Sequence, residues 1–496
     1  MYDIVIIGAG VVGGFVARQL SRYRLKIALI EKHDDVCFET SRANSAIIHA
    51  GYNGHPGSIK AVLTKAANED FHNVCAQLDV EFERLGALII AVDDEGKQKI
   101  LEKYAKGQQN GIKGLELLTG KQALAMEPNL TPRVIYAMYS PTVGVVNPWE
   151  FGLAACENAV DNGVELYLST KVLDLKRQAD GYYAVKTNKG EFIAKYVINC
   201  AGIYSDQINN LVAKPFFRIA PRRGEYFVLD KEARSFVNHV VFEARADDDV
   251  KGVIIIPTVH GNVLVGPSTQ DDIDKDDVKT TAEHLQAVKR VAAQSMVNIP
   301  FDLTIRTFAG IRPRPQMGKL NQKTGEWEYG EDKVKDFILG EPEGVENFIN
   351  CAGIKSPGLT CANEIGKYIL HIIEEKEGVN LIPNPDFSPC RRPLTRFSKR
   401  TDEEKASLIK ENPAFGNVVC RCGEITEAEI VDVIQRDCGA RSLDGVKRRA
   451  GTSLGRCQGG FCTPLVVEIL ERELKRGPEQ ITKDEAGSNI VTDTLL

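Results

Sequence analysis

Asp3-Ile4-Val5-Ile6-Ile7-Gly8-Ala9-Gly10-Val11-Val12-Gly13 is the stretch from which the rest of the chain is read. The β-branched apolar run Ile4 to Ile7 predicts a fully buried parallel strand. Gly8, Gly10 and Gly13 follow at G-x-G-x-x-G spacing, and Val11 to Leu20 has helical character. A second apolar strand, Lys26 to Ile30, ends on Glu31. Each part has a physical job. Gly8 permits the tight turn, Gly10 lets a pyrophosphate approach the backbone, and Gly13 lets helix and strand pack closely. The helix N-terminus offers N–H groups and partial positive charge to phosphates. Glu31 can accept hydrogen bonds from a ribose diol, whereas it repels a 2′-phosphate. The glycine spacing alone is weak; the order strand, turn, helix, strand, Glu makes it a dinucleotide site.

Working outward, 496 residues predict two or three domains. The composition, 43% hydrophobic and 26% charged with a formal charge of -6, is that of an ordinary soluble globular chain. A mildly acidic balance argues against a nucleic-acid footprint. The first strand begins at Asp3, leaving no room for a signal peptide, and no apolar run approaches the roughly 18 residues of a transmembrane segment. The expectation is a cytoplasmic protein, with peripheral contact at the inner face of a membrane left open. Twelve cysteines in such a chain should be reduced. Seven scatter over residues 1–390, and five crowd into 420–462.

The hydroxyl- and amide-rich stretch Thr40 to Asn53 predicts a loop lying along a cofactor. Residues 60–80 and 95–109 read as helices, and Asn147-Pro148 opens another through Asn162. Lys171 to Leu175, Tyr182 to Thr187 and Glu191 to Ile193 predict a meander. Tyr196 to Gly202 then reads as a separate buried strand ending in a small-residue turn, Ala201-Gly202. Residues 216–340 change to alternating apolar strands with hairpin turns, a mostly antiparallel sheet covered on one face. Asp272, Asp274, Asp276 and Glu283 fall at calcium-loop positions, but Asp277 stands where the sharp turn needs glycine, so a solvated loop is expected. Phe348 to Gly353 is a further strand leading into a helix that runs to Ile373. Residues 381–415 carry prolines and a basic cluster (Arg391, Arg392, Arg396, Lys399, Arg400) and read as a linker. A solvated face suits that cluster best, with anionic lipid or a partner as the other readings. A compact module follows, then a polar tail from Gly477.

The stretches IIGAGVVGG, TSRANSAIIHAGYNGHPGSIKA, RRGEYFVL, HGNVLVGPS, TFAGIRPRP and CAGIKSPGLT, spanning residues 4 to 360, resemble the FAD-dependent oxidoreductases of the D-amino-acid-oxidase (DAO) superfamily. Within it they are most similar to the glycerol-3-phosphate and L-2-hydroxyglutarate dehydrogenases. The resemblance implies an α/β plus α+β chain. A Rossmann-type FAD-binding domain (1–80, 145–215, 340–380) would be interleaved with an antiparallel-sheet substrate domain (81–144, 216–339). It further implies flavin contacts at Thr40, Ser41, Asn44 and Ser45, an adenine-side contact at Val172, and a flavin-side lid over Gly353 to Thr360, including Lys355, Gly358 and Leu359. Ala201 and Gly202 are counted with the cofactor turn. A helix starting near Leu359 would point its N-terminal amides inward, where they stabilise the negative charge of a reduced flavin.

Cys420-Arg421-Cys422 and Cys457 to Cys462 form a C-x-C…C-x4-C set. Four thiolates suit a [2Fe–2S] cluster or a structural zinc. Zinc pairs usually need two or more intervening residues, which tilts Cys420, Cys422, Cys457 and Cys462 toward iron–sulfur. Residues 416–476 resemble the bacterioferritin-associated-ferredoxin-like (BFD-like) [2Fe–2S] domain, a small helical module, and the chain order resembles the large subunit of anaerobic glycerol-3-phosphate dehydrogenases. Cys438 lacks partner spacing and reads as a buried small hydrophobe.

Flavin can take a hydride from a substrate C–H, and an iron–sulfur centre can deliver single electrons to an external acceptor or partner redox subunit. Histidine's ordinary range suits a base for the hydroxyl proton, which makes His49 the candidate. Arg312, in Ala309-Gly310-Ile311-Arg312-Pro313, matches the family's substrate-anion arginine, and Lys355 a lysine of the glycerol-3-phosphate branch. Arg223 and Tyr226 are weaker candidates for the same pocket. Asn53 stands where that branch often carries a second phosphate-binding arginine, and His49 to Ser58 is closer to the hydroxyglutarate branch. The expected substrate is a small anionic secondary alcohol, glycerol 3-phosphate before L-2-hydroxyglutarate. An amine or amino-acid dehydrogenase, and an electron-transfer subunit of a multi-flavin complex, are the competing readings.

Overall fold

The computed structural model describes residues 1–244, 252–271, 273–330, 336–376, 379 and 381–491. Its first sheet is built on strand Tyr2–Ile7, which pairs in parallel with Ile27–Ile30 on one side and Gly190–Asn199 on the other. Phe348–Ala352 and Glu165–Tyr167 extend the parallel part, and the antiparallel strands Val172–Arg177 and Tyr183–Thr187 continue it at one edge. All four residues of Ile27–Ile30 are buried, as near-continuous apolar strands are when helices cover both sheet faces. Helices Val11–Leu20 and Gly358–Glu374 pack together here, so close at Gly366 that a Cβ would stand 2.6 Å from the Phe15 carbonyl oxygen.

One sequence expectation changes at this sheet. The third meander strand and the buried strand after it are a single element, Gly190–Asn199. Ala194 pairs with Tyr183 of the antiparallel neighbour on one edge and Tyr2 of the parallel strand on the other, and from Val197 the parallel Phe348–Ala352 takes over the first edge, so the strand changes partners without breaking. It stops at Asn199, before Ala201-Gly202, where Gly202 has a φ of +53°.

Among the described residues the second sheet has nine strands. Phe217–Leu229 and Thr304–Leu320 form its long central pair, with Arg222 opposite Arg312 and Tyr226 opposite Phe308. Its pairings are antiparallel except that of Val240–Glu243 with Ala87–Ala91. Leu88, Val241, Ile255 and Val265 form its core with Val288 and Ala292 of helix Ala282–Ser295. A small sheet of Ile47–Ile48, Gly144–Val146 and Phe82–Arg84 holds the stretch before His49 between the two large ones.

The acidic loop is pinned at several residues, while Asp274 and Asp276 stay exposed. Asp271 pairs with Arg222 at 2.7 Å, Asp276 accepts from the Tyr204 hydroxyl, and Asp277 pairs with Arg223 at 2.6 Å. Asp272 lies outside the described residues.

The basic stretch around 391–400 is not a free linker either. Arg391 and Arg396 turn inward onto Glu157 and Glu150, at 2.9 and 2.6 Å, and residues Asp402–Glu411 are helical. The chain beyond Gly477 also docks, with Asp484 pairing with Arg42 and Arg448 and Glu485 meeting His33. Among the described residues no helix is long and apolar enough to cross a membrane.

Candidate functional site

A cleft of about 410 Å³ opens between the ends of the parallel strands and the second sheet. Gly8, with a φ of +102°, turns the chain where a Cβ would stand 2.6 Å from the Cys200 carbonyl oxygen. At Gly13 a Cβ would stand 1.9 Å from the Gly8 carbonyl oxygen, so only glycine lets this helix seat against its own strand. Gly10 precedes helix Val11–Leu20 and supplies no side-chain cap, so a helix N-terminus opens onto the cleft beside Ser41. Glu31 is buried, each oxygen accepting one backbone N–H: Oε2 from Ala9 at 2.8 Å and Oε1 from His33 at 3.0 Å. Burial pushes its carboxyl up from the usual range, while those two N–H groups oppose the shift. Further lone pairs remain for a diol. Glycine turn, helix end and buried carboxylate together fit the pyrophosphate and ribose of a dinucleotide.

Of the residues singled out in the sequence, Gly8, Gly10, Glu31, Thr40, Ser41, Asn44, Ser45, His49, Val172, Ala201, Gly202, Arg312, Lys355, Gly358 and Leu359 line this cleft. Gly13, Gly353 and Thr360 stand behind its surface. Tyr226 also lines it, stacked on Phe308 with centroids 4.8 Å apart. Arg223 does not; it is buried among Glu225, Asp277 and Gln270.

Several polar side chains shape the cleft by bonding the protein itself. Thr40 donates to the Ile311 carbonyl at 2.8 Å, fastening the loop to the second sheet. Ser41 Oγ accepts from the Val11 N–H at 3.0 Å, and Asn44 donates back to the carbonyls of Thr40 and Ser41. His49 is held through its backbone, its N–H donating to Thr360 Oγ1 and its carbonyl accepting from Asn68. The Arg312 guanidinium passes 3.2 Å from where a Gly224 Cβ would lie, so that glycine clears its path. Thr360 and Gly224 are thus supports of the site that sequence reasoning assigned otherwise or passed over.

A second cavity of about 440 Å³ lies behind Ala43, Asn44 and Gly310, residues it shares with the cleft. Trp149, His260, Phe308, Lys447 and Gln458 are among its walls, so it reaches from the cleft to the C-terminal module. Burial lowers the Lys447 ammonium to about 8. No sequence pattern announced this cavity, because its walls come from many stretches far apart in the chain.

In the module the four expected cysteines come together as two sulfur pairs. Cys422 Sγ and Cys457 Sγ are 3.7 Å apart, and Cys420 meets Cys462. The second pair is buried, whereas Cys422 is exposed and Cys457 partly so. The two pairs match two thiolates for each iron of a [2Fe–2S] cluster. The thiol of Cys420, with help from the Ser453 hydroxyl, pulls Cys462 down to about 5 against burial. Burial raises Cys457, but the N–H groups of Gly459 and Phe461 outweigh it and favour thiolate. Asp35, on the loop after Glu31, clamps the module: it accepts from Arg448 at 2.8 Å and Arg449 at 2.6 Å, all three buried. Arg436 of the module reaches Glu157 at 2.6 Å.

The chain matches the family model described as FAD dependent oxidoreductase over residues 3–372, and that of the BFD-like [2Fe-2S] binding domain over 418–472. It is 43% identical to a glycerol 3-phosphate dehydrogenase of Caloramator mitchellensis, covering 99% of this chain and 98% of that one. A human mitochondrial L-2-hydroxyglutarate dehydrogenase is 31% identical over 54% of this chain and 60% of its own. Among solved structures, the dithionite-reduced L-alpha-glycerophosphate oxidase of Mycoplasma pneumoniae with FAD bound superposes with a TM-score of 0.71 at 27% identity, covering 79% of this chain and 99% of that one.

Proposed function

The chain belongs to the FAD dependent oxidoreductase family and carries a BFD-like [2Fe-2S] binding domain; from that premise we propose that it oxidises glycerol 3-phosphate and passes the electrons out through its C-terminal cluster. The observation that carries the reading is the meeting of His49, Arg312 and Lys355 in the cleft that also contains the dinucleotide cradle. The glycerol 3-phosphate dehydrogenase of Caloramator mitchellensis, alike over nearly the whole length of both chains, supports the substrate.

FAD, held by the glycine turn, Glu31 and the 40–45 loop, supplies when bound a hydride acceptor, and the cluster a one-electron relay to an acceptor outside the chain. The chain's own residues do the rest. Arg312 and Lys355 bind the substrate phosphate by charge-assisted hydrogen bonds and fix its orientation. His49 takes the hydroxyl proton as the carbon–hydrogen bond is broken. The N-terminus of helix Gly358–Glu374 bears on the cleft at Gly358 and Leu359 and favours negative charge there.

The lack of an arginine at position 53, where Asn53 stands, favours testing a second substrate, L-2-hydroxyglutarate, whose two carboxylates spread over two separate groups the charge that a phosphate dianion concentrates on one. Anaerobic titration of the FAD- and iron-loaded protein with each compound separates them. Bleaching of the yellow chromophore by glycerol 3-phosphate at the lower concentration is the expected result. Bleaching by the hydroxy acid alone overturns the substrate, and bleaching by neither overturns the enzyme reading.

A further inference from the structure

The two sulfur pairs of the module differ in their surroundings. Cys420 and Cys462 are buried, whereas Cys422 and Cys457 face outward. Around the outward pair stands Phe461, 81% exposed in the loop between Cys457 and Cys462, with Leu465 exposed beyond it. An aromatic ring held in water at such a position is costly unless something covers it. Arg421 and Arg456 each adjoin one of the outward cysteines, and both are exposed. Arg306 stands beside them, 3.5 Å from Gln458. Arg456 is itself engaged by Glu232 at 3.2 Å and Glu424 by Lys405 at 3.8 Å, so the surplus positive charge is that of Arg421 and Arg306. The rim is therefore locally basic on a chain whose formal charge is -6.

We infer that this rim is the docking face of a small acidic one-electron carrier protein, with Phe461 as the apolar anchor and Arg421 and Arg306 as the charges that orient it. The inference deepens the reading that electrons leave through the cluster. An apolar centre ringed by charge of one sign is how interfaces gain both affinity and steering. It suits a partner of the opposite sign that must leave again after each turnover. One electron crosses per encounter, the reduced cluster being oxidised and the carrier's ferric ion reduced, with no proton or bond transferred.

The test measures binding of rubredoxin, a small acidic iron protein, to the loaded full-length enzyme by anaerobic calorimetry, with basic cytochrome c as the opposite-sign control. Wild type should bind rubredoxin more tightly than cytochrome c, and added salt should weaken the rubredoxin complex. Phe461→Ser and Arg421→Glu should each weaken it about tenfold or more, and Arg421→Glu should improve cytochrome binding. Both side chains are exposed, and cluster absorbance reports whether each variant is loaded. If Phe461→Ser loses the cluster, Arg421→Glu and the salt series still decide. Equal affinity for both carriers, or rubredoxin binding indifferent to salt and to the variants, overturns the docking face. A cluster that stays oxidised when glycerol 3-phosphate is added without carrier overturns the electron route instead, whatever the binding shows.

Discussion

The backbone N–H of His49 donates to Thr360 Oγ1 at 3.0 Å, which ties the candidate base to the first turn of helix Gly358–Glu374. Thr360 is fully buried, so water cannot replace the hydroxyl if it is removed. Thr360→Val should leave that N–H unsatisfied at a cost of about 1–3 kcal/mol. Steady-state kinetics should show kcat down about tenfold, the base being mispositioned, with FAD content unchanged. Wild-type kcat in this variant would refute the positioning role.

Arg312 carries the anion in this reading, so Arg312→Gln should act on binding before chemistry. Losing a charge-assisted contact of about 1.5–3 kcal/mol corresponds to roughly a 10- to 100-fold rise in KM for glycerol 3-phosphate. An equal loss in kcat with KM unchanged would mean that the arginine contacts only the transition state.

Gly13→Ala places a methyl group 1.9 Å from the Gly8 carbonyl oxygen, and neither backbone can yield cheaply. The helix must move off the strand, and with it the end that receives the pyrophosphate. Purified Gly13→Ala should contain little FAD by absorbance. Gly163→Ala, at a turn where a Cβ would meet no atom within 4 Å, should keep its FAD despite the local strain of a φ of +94°.

Asp35 is a pH-dependent fastener. Burial pushes its carboxyl up, but Arg449 and Arg448 outweigh burial and bring it to about 2, below the ordinary 3.8. A depressed carboxyl contributes stability that is present above its unfolded value and is lost as pH falls from about 4 to about 2. Asp35→Asn should flatten that part of the acid unfolding curve. At neutral pH it should cost about 3–5 kcal/mol, because the buried Arg449 is left without its counter-charge. Denaturant unfolding at several pH values checks both.

Cys462→Ser removes one thiolate of the inner pair, so iron content should fall to near zero while FAD is retained. Cys438→Ala should keep full iron: that side chain is buried away from the pairs, and only its carbonyl is used, by Arg449. Iron analysis and the visible spectrum of the two proteins, side by side, decide.

Much of the nucleotide cradle was legible in the sequence because its physics is local. Gly8, Gly10, Gly13 and Glu31 are recognisable by spacing, since a turn, a helix end and a strand end must follow in order. The four cysteines were legible as a set for the same reason, but their sulfurs meet across the two motifs, Cys420 with Cys462 and Cys422 with Cys457, and that pairing has no local signal. What escaped depends on partners far apart in the chain. Arg391 and Arg396 read as a solvated basic face because Glu150 and Glu157, their buried partners, lie more than two hundred residues earlier. Arg223 looked like a pocket residue because it neighbours Tyr226 in sequence, yet successive strand residues alternate faces, and an odd offset sends them apart. The single strand Gly190–Asn199 was cut in two because a change of partner leaves no composition signal.

Glu31, Asp35, Phe38 and Arg42 all belong to one short connection, and each serves a different neighbour. Glu31 borders the nucleotide cleft, Asp35 grips Arg449, Phe38 lies against Arg448 and Arg42, and Arg42 meets Asp484. The chromophore's berth and the iron module's mooring therefore share a single piece of rope. Slack introduced at one end will be felt at the other, so loss of either prosthetic group should loosen the protein's hold on its companion.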